Sequence, residues 1–307
     1  ELQATTRVRE GYLLERAGRL AEARTLLADT HFDAAGRGAH LPAARAAALL
    51  IALQAGRTDG LATARRWAND GRSALARLGG DRPTSEMIDS NLAMVLLQED
   101  RPGESAALLQ RVLDRREREG VAPDWRSAAY TADLGLARFE LGDHGAAEAL
   151  LSEALSFRKT ERGPDHPSVA ESYEMLAMVA DERGDPERSL QLSRAALRIR
   201  TRAFRDEHPI VAASLTNVAS GLIALERFDE ALSHLRRAEA IAAASLPAEH
   251  QHQAIIALAI GQCEAGLGHD AAAGTALRKA RDIAGAVHGF EHPVVAQANV
   301  ELSLIAH

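Results

Sequence analysis

The residues in this chain that could do chemistry are histidines, acids, arginines and one cysteine. There are 12 histidines, enough to raise the question of a metal. His166, His208, His250 and His292 stand 42 residues apart, a spacing that fits the start of a repeated element better than a shared ligand set. His250 and His252 are two apart, which on a helix turns them to different faces. His288 and His292 are four apart but straddle a break before Pro293. No metal site and no cofactor is expected. Cys263 is the single cysteine. An internal disulfide and a cysteine metal cluster are thus excluded. With no base placed beside it in the sequence, Cys263 reads as a buried, inert thiol. Paired acids such as Asp181-Glu182 are common on helices and specify no catalysis. The chain shows no nucleophile elbow, phosphate loop or zinc-peptidase signature. We expect no catalytic residues and no intrinsic enzyme activity.

The arginines ask a different question. Arg194, Arg198, Arg202 and Arg205 fall near one helix face, with Arg236 and Arg237 further on. Such a stripe could meet an anionic partner or a nucleic acid. Single-strand binders use aromatic platforms, and aromatics make up 4% of this chain. A solvated or internally paired face, with Asp206, Glu207 and Glu239 as partners, is the plainer reading. The run Arg111 to Glu119 alternates in sign through Asp114, Glu117 and Glu119, and reads as a solvated helix with local salt bridges. The net charge of −7 gives no general affinity for polyanions, so nucleic acid is not expected as a partner.

The elements that carry these residues are helical. From Pro167, apolar Val169, Tyr173, Leu176 and Val179 recur at three and four, the signature of one buried stripe. Proline suits a first helical position, where its missing N–H would be an orphan anyway. Gly184-Asp185 breaks this helix, and Pro186 starts a second whose apolar face holds Leu190, Ala196, Leu197 and Ile199. Two amphipathic helices joined by a short turn pack antiparallel, and one such pair needs neighbours to bury its outer faces.

The neighbours recur at the same period. Stepping back from His166 by 42 gives Asp124, Arg82 and His40. Ala93, Gly135, Ala177, Ala219, Gly261 and Ser303 share one position. Leu92, Leu134, Leu176, Val218, Ile260 and Leu302 precede them. Small residues allow close backbone approach, and the large ones fill the layer between. The expected units are 1–39, 40–81, 82–123, 124–165, 166–207, 208–249 and 250–291, followed by a terminal helix, 292–307. Together they make one solenoid. In the first unit Gly11, Leu14, Gly18, Ala23 and Leu27 lie about two residues out of phase. The stretch Thr30 to His40, with Gly36 and Gly38, reads as a loop. The turn of the second unit is Gly56-Arg57-Thr58-Asp59-Gly60. Asp100 and Glu226 stand where other units have a turn glycine.

The His-Pro starts, the Leu-Ala or Leu-Gly pairs and the Gly142-Asp143 and Gly184-Asp185 turns resemble the tetratricopeptide repeat, in the 42-residue form of kinesin light chains and many bacterial proteins. The resemblance covers nearly the whole chain. It implies an all-α, right-handed superhelical solenoid of antiparallel helix pairs, serving as a non-catalytic scaffold for proteins or peptides.

It also implies that first helices line a concave groove. The inward residues would then be Asn91, Met94 and Gln98; Asp133, Phe139 and Glu140; Glu171, Glu174, Met175, Met178, Asp181 and Glu182; Asn217 and Ser220; and Gln262. Asn91 and Asn217 match a position at which related domains hold a bound peptide's backbone. The basic residues with which those domains clamp a terminal carboxylate are absent from these positions. Such a groove is acidic, with methionine interleaved, and suits a basic or apolar segment; alternatively its acids simply solvate an open face. Changing Glu174, Asp181 and Glu182 to Ala is expected to weaken binding of a basic peptide and leave the fold intact.

The resemblance leaves another role open: a regulatory or sensory region of a larger bacterial signalling enzyme, such as a Ser/Thr kinase or caspase-like protease. A third is a homo-oligomeriser using the terminal helix. The arginine and alanine bias, with Lys159 and Lys279 the sole lysines, fits a high-GC bacterial genome. The chain lacks an initial Met and reads as stopping inside a helix at Ala306-His307. We therefore expect a piece of a longer protein with flanking domains. No run has membrane-spanning length and no signal peptide opens the chain, so a cytoplasmic location is expected.

Overall fold

The computed structural model describes residues 1–55, 57 and 59–305, without the side chain of His288. Every regular element among the described residues is an α-helix. In chain order α1 (Leu2–Arg16) is followed by α2 (Leu20–Gly36), and α3 (His40–Ala52) by α4 (Gly60–Leu78). Next come α5 (Arg82–Gln98) and α6 (Pro102–Arg118), then α7 (Trp125–Glu140) and α8 (His144–Arg162). The series continues with α9 (Pro167–Glu182), α10 (Pro186–Ala203), α11 (Pro209–Ala224) and α12 (Phe228–Ser245). It closes with α13 (Gln251–Gly266), α14 (Asp270–His288) and α15 (Pro293–Leu304). The chain forms two compact units, Glu1–Leu150 and Leu151–His307.

Side-chain chemistry sets the helix starts. The Nδ1 atoms of His166, His208, His250 and His292 accept the backbone N–H of the residue two further on, at 3.1–3.3 Å. Each is an N-cap that satisfies one of the orphan donors of a first turn, which accounts for the 42-residue spacing without a metal. Asp81 and Asp124 cap α5 and α7 through their carboxylates. Helix ends use the left-handed region. Gly142, Gly184 and Gly268 lie at φ 75, 72 and 76, and Asp100 and Glu226 adopt the same conformation at φ 55 and 57. The turn is thus preserved where its glycine is not.

In the first unit, Ile51, Ile88, Leu92, Leu109 and Leu134 share one core with Ala44, Ala48, Ala64 and Ala93. In the second, Leu215, Leu222, Leu235, Ile256 and Ile260 do the same around Cys263. Small residues set the helix separation. A Cβ built on Gly261 would lie 2.6 Å from the Leu277 side chain, so α13 and α14 meet at a distance that no larger residue permits. Val294, Val295 and Ala298 of α15 pack on α13 and α14 through Leu258 and Leu277.

Some expectations need correction. Thr30 to Gly36 is helix, not loop. Thr30, His31 and Ala34 are buried there, and His31 Nδ1 lies 2.9 Å from the Ala43 carbonyl. These tertiary contacts outweigh the local loop signal of the glycines. The run Arg111 to Glu119 is not uniformly solvated. Arg116 is 3% exposed and donates to Glu86 at 2.6 Å and to Asp124 at 2.7 Å. Arg115 reaches Asp89 at 3.1 Å. These bridges connect α6 to α5 and to the start of α7, because Arg116 sits four residues after buried Val112 on the inward stripe. In the expected turn at 56–60, Gly56 and Thr58 lie outside the described residues, and Gly60 already belongs to α4. The last helix ends at Leu304 with Ile305 as its cap; Ala306 and His307 are outside the described residues.

Candidate functional site

In the second unit the candidate residues fall on α9, α11 and α13. Glu171, Glu174, Met175, Met178, Asp181 and Glu182 follow spacings of three, four and seven along α9, so they share one face. They differ in what they touch. Glu171 is exposed and lies 3.2 Å from Arg158. Glu174 is half-buried; one oxygen accepts from Arg200 of α10 and the other from Ser214 of α11, each at 2.8 Å. Met175 is half-buried, whereas Met178 is 46% exposed. Asp181 and Glu182 are exposed and make no ion pair among the described residues. On α11, Asn217 and Ser220 are exposed, with Ser220 donating to the Thr216 carbonyl at 3.2 Å. Gln262 of α13 donates to Glu301 of α15 at 3.3 Å.

In the first unit, Asn91, Met94 and Gln98 lie on α5, and Asp133, Phe139 and Glu140 on α7. Asn91 donates to the Ala48 carbonyl of α3 at 2.8 Å, which ties α5 to its neighbour. Met94 is half-buried and Gln98 exposed. Phe139 stacks at a tilt on His144, 5.5 Å between centroids, and Glu140 faces solvent. Asp133 lines a cavity of about 560 Å³ that the inward positions named from the sequence otherwise miss. Its walls come from the first two to three turns of α3, α5 and α7 and from α1, and include Arg9, Arg45, Met87 and Arg126. The signal was present in the period. Residues 42, 84 and 126 and residues 45, 87 and 129 occupy equivalent positions one to two turns before Asn91 and Asp133, and all six line the cavity.

The second-helix arginines are largely occupied. Arg194 lies 3.9 Å from Glu230, Arg202 3.1 Å from Asp165, Arg236 3.3 Å from Glu239 and Arg237 3.4 Å from Asp206. Exposed pairs of this kind contribute little to stability, but they leave less free charge for an anionic partner. Cys263 is fully buried, and burial followed by the adjacent Glu264 charge pushes its thiol up to about 12. It remains protonated and unreactive at neutral pH. Among the described residues no group of three or more His, Cys, Asp or Glu is placed to hold a metal ion. No described helix is long and apolar enough to cross a membrane.

Comparison with known proteins adds a family. A model of the tetratricopeptide repeat matches residues 84–160, 125–202 and 182–244, which together span more than half of the chain. No protein of curated function matches the sequence. Among solved structures, the apo form of RapI matches with a TM-score of 0.72 at 13% identity, covering 99% of this chain and 82% of that one. A kinesin-light-chain-type protein of Podosopora anserina with nearly identical TPR-like repeats matches with a TM-score of 0.55 at 22% identity, covering 65% of this chain and 95% of that one. A Rap protein complexed with Competence and Sporulation Factor matches with a TM-score of 0.58 at 12% identity, covering 99% and 97%. At these identities the likeness speaks for the fold.

Proposed function

The chain belongs to the tetratricopeptide-repeat family, and we propose that it is a non-catalytic scaffold that binds a peptide or protein segment on the faces of its first helices. The observation that carries this reading is the end of α9. Met178 holds a large flexible apolar side chain in solvent, and Asp181 and Glu182, one turn on, make no ion pair among the described residues. An exposed methionine accepts apolar side chains of varied shape. Two carboxylates beside it favour a segment with Lys or Arg next to an apolar residue. Asn217 and Ser220 on α11 add exposed hydrogen-bonding groups suited to a peptide backbone.

Support from outside the chain is consistent with this. A Rap protein of the same fold is complexed with Competence and Sporulation Factor. The reading predicts where a ligand leaves its footprint. Hydrogen exchange of the second unit is measured with and without a short peptide that alternates Lys and Leu. Added protection is expected in α9 and α11. Protection confined to α10 and α12 would place binding on the second helices and refute the reading.

A further inference from the structure

We propose that the pocket between α4 and α6 binds the phosphoryl group of a small phosphate ester. The pocket lies on the other side of α5 from the inward positions. Leu92 and Leu96 of its floor stand roughly 150° round that helix from Asn91, Met94 and Gln98. The site is thus separate from the peptide surface, and either can fail alone. Its volume is about 350 Å³, at the lower end for ligand sites and suited to one phosphoryl group with a few carbons.

Three helices each contribute one face. Arg65, Asn69 and Arg72 follow spacings of four and three on α4, and Glu104, Leu108 and Arg111 follow the same spacings on α6. Leu92, Leu96 and Leu108 are 4–7% exposed and form an aliphatic floor. A guanidinium over such a floor is shielded from water on one side, so it attracts an anion more strongly than a fully solvated one does.

The charge of the wall is unbalanced. Glu104 is the one carboxylate among the lining residues, and it accepts from Arg65 at 2.8 Å and also pairs with Arg101. Asp89, buried on α5, accepts from Arg72 at 2.7 Å and from Arg115 at 3.1 Å. Two carboxylates thus serve four guanidinium groups. Arg111 is exposed and makes no ion pair among the described residues. The neighbouring hollow that shares Arg72 lacks this excess, because Asp81 and Glu119 stand in its wall with Arg82 and Arg115. Nor does the repeat itself require these cations. One period on, the positions of Arg65, Arg72 and Arg111 hold Ala107, Asp114 and Glu153.

A dianionic phosphate fits this donor set. Arginine forks take phosphate oxygens two at a time, and Asn69 adds an amide N–H. A phosphomonoester offers three acceptor oxygens and close to two negative charges near neutral pH. A single carboxylate is satisfied by one fork and leaves the other arginines unanswered. No aromatic ring is among the lining residues, so the site has no platform for a nucleobase. The class recognised is therefore a compact phosphate ester and not a nucleotide or a nucleic acid.

The test is calorimetry of the full chain at about pH 7.5, above the second ionisation of a phosphate ester. The probes are glycerol phosphate, inorganic phosphate and succinate, the last a dianion without the phosphoryl geometry. Glycerol phosphate should saturate a single site, and succinate should bind about tenfold more weakly. Arg111→Gln should weaken glycerol phosphate about tenfold with an unchanged melting temperature, the scale of one charge-assisted hydrogen bond. Arg65→Gln is the second variant and should act in the same direction. Arg198→Gln changes an exposed arginine of α10; it controls for diffuse charge and should leave the affinity unchanged. Inorganic phosphate that binds as tightly as the ester would identify the free ion as sufficient, whereas a tighter ester would show that the leucine floor takes up the carbon skeleton. No saturation by either phosphate, equal binding of succinate, indifference to both Arg111→Gln and Arg65→Gln, or an equal loss with Arg198→Gln would overturn the proposal.

Discussion

Arg200 of α10 donates to Glu174 of α9 at 2.8 Å, and Ser214 of α11 reaches the other oxygen of that carboxylate at the same distance. An acid that reads as groove-lining is thus a pin between three helices. Arg200 is itself buried, and removing its partner strands a charge. Glu174→Ala is therefore expected to lower stability by about 2–3 kcal/mol, somewhat less than breaking a fully buried pair because Glu174 is only half-buried. Asp181→Ala with Glu182→Ala should stay within about 0.5 kcal/mol of the parent. Urea unfolding compares them directly; a neutral Glu174→Ala would show that the pin carries no load. The expectation that all three acids can be removed without harm to the fold is corrected for Glu174.

Asp100 and Glu226 occupy left-handed turns in which their counterparts are glycines. A side chain there is strained, more so for Glu than for Asp, whose short side chain tolerates that region. Glu226→Gly is predicted to stabilise by about 0.5–1 kcal/mol, less than the full strain because glycine loses more backbone entropy on folding. Asp100→Gly should gain less. A lowered urea midpoint for Glu226→Gly would mean that its side chain compensates the strain elsewhere.

At Gly261 the constraint runs the other way, since an added methyl would sit 2.6 Å from Leu277. Gly261→Ala should cost about 1–3 kcal/mol through overpacking. Adding Leu277→Val in the same chain should recover part of it. Thermal melts of the single and double variants give the answer. Simple additivity would place the strain somewhere other than this contact.

Acid should weaken the second unit. Burial, with the charges of Arg162 and Arg158 behind it, holds His166 below the ordinary histidine value of 6.5. Burial also lowers His252, helped by His250, and His234, helped by Arg194. The unfolded chain binds protons at these sites more readily than the folded one, so stability rises with pH across the interval. The contribution is complete above 6.5 and is lost as pH falls through the lowered folded values. Nδ1 of His166 also accepts the Ser168 N–H, so protonation there costs a helix cap as well. His166→Asn retains a capping acceptor that does not titrate, so it should flatten part of this slope. An unchanged slope in that variant would assign the pH dependence to the other two rings.

The helix pairs were legible because their signals are local and repeated: proline starts, glycine–aspartate turns and an apolar stripe. Thr30 to Gly36 misled because its glycines mark a loop locally, while burial of His31 against Ala43 and Trp67 is decided by residues far along the chain. The same limit applies to Arg116, whose partners Glu86 and Asp124 lie beyond helical reach. The family resemblance, laid on the 42-residue period, named the faces of α9 and α11. It passed over the cavity because Arg45 and Arg126 sit nearer the helix starts than the positions it named, and Arg9 is out of phase with the rest. Charge that converges from different helices has no signature in any one of them.

The most direct test of the scaffold reading is an array of short synthetic peptides, graded from acidic to basic and from polar to apolar. It is probed with the intact protein and with the Asp181→Ala, Glu182→Ala variant after equal helicity has been confirmed. The account predicts that peptides pairing Lys or Arg with an apolar residue are retained by the intact protein and released by the variant. Equal retention of those peptides by both proteins, or retention of none by either, would contradict it.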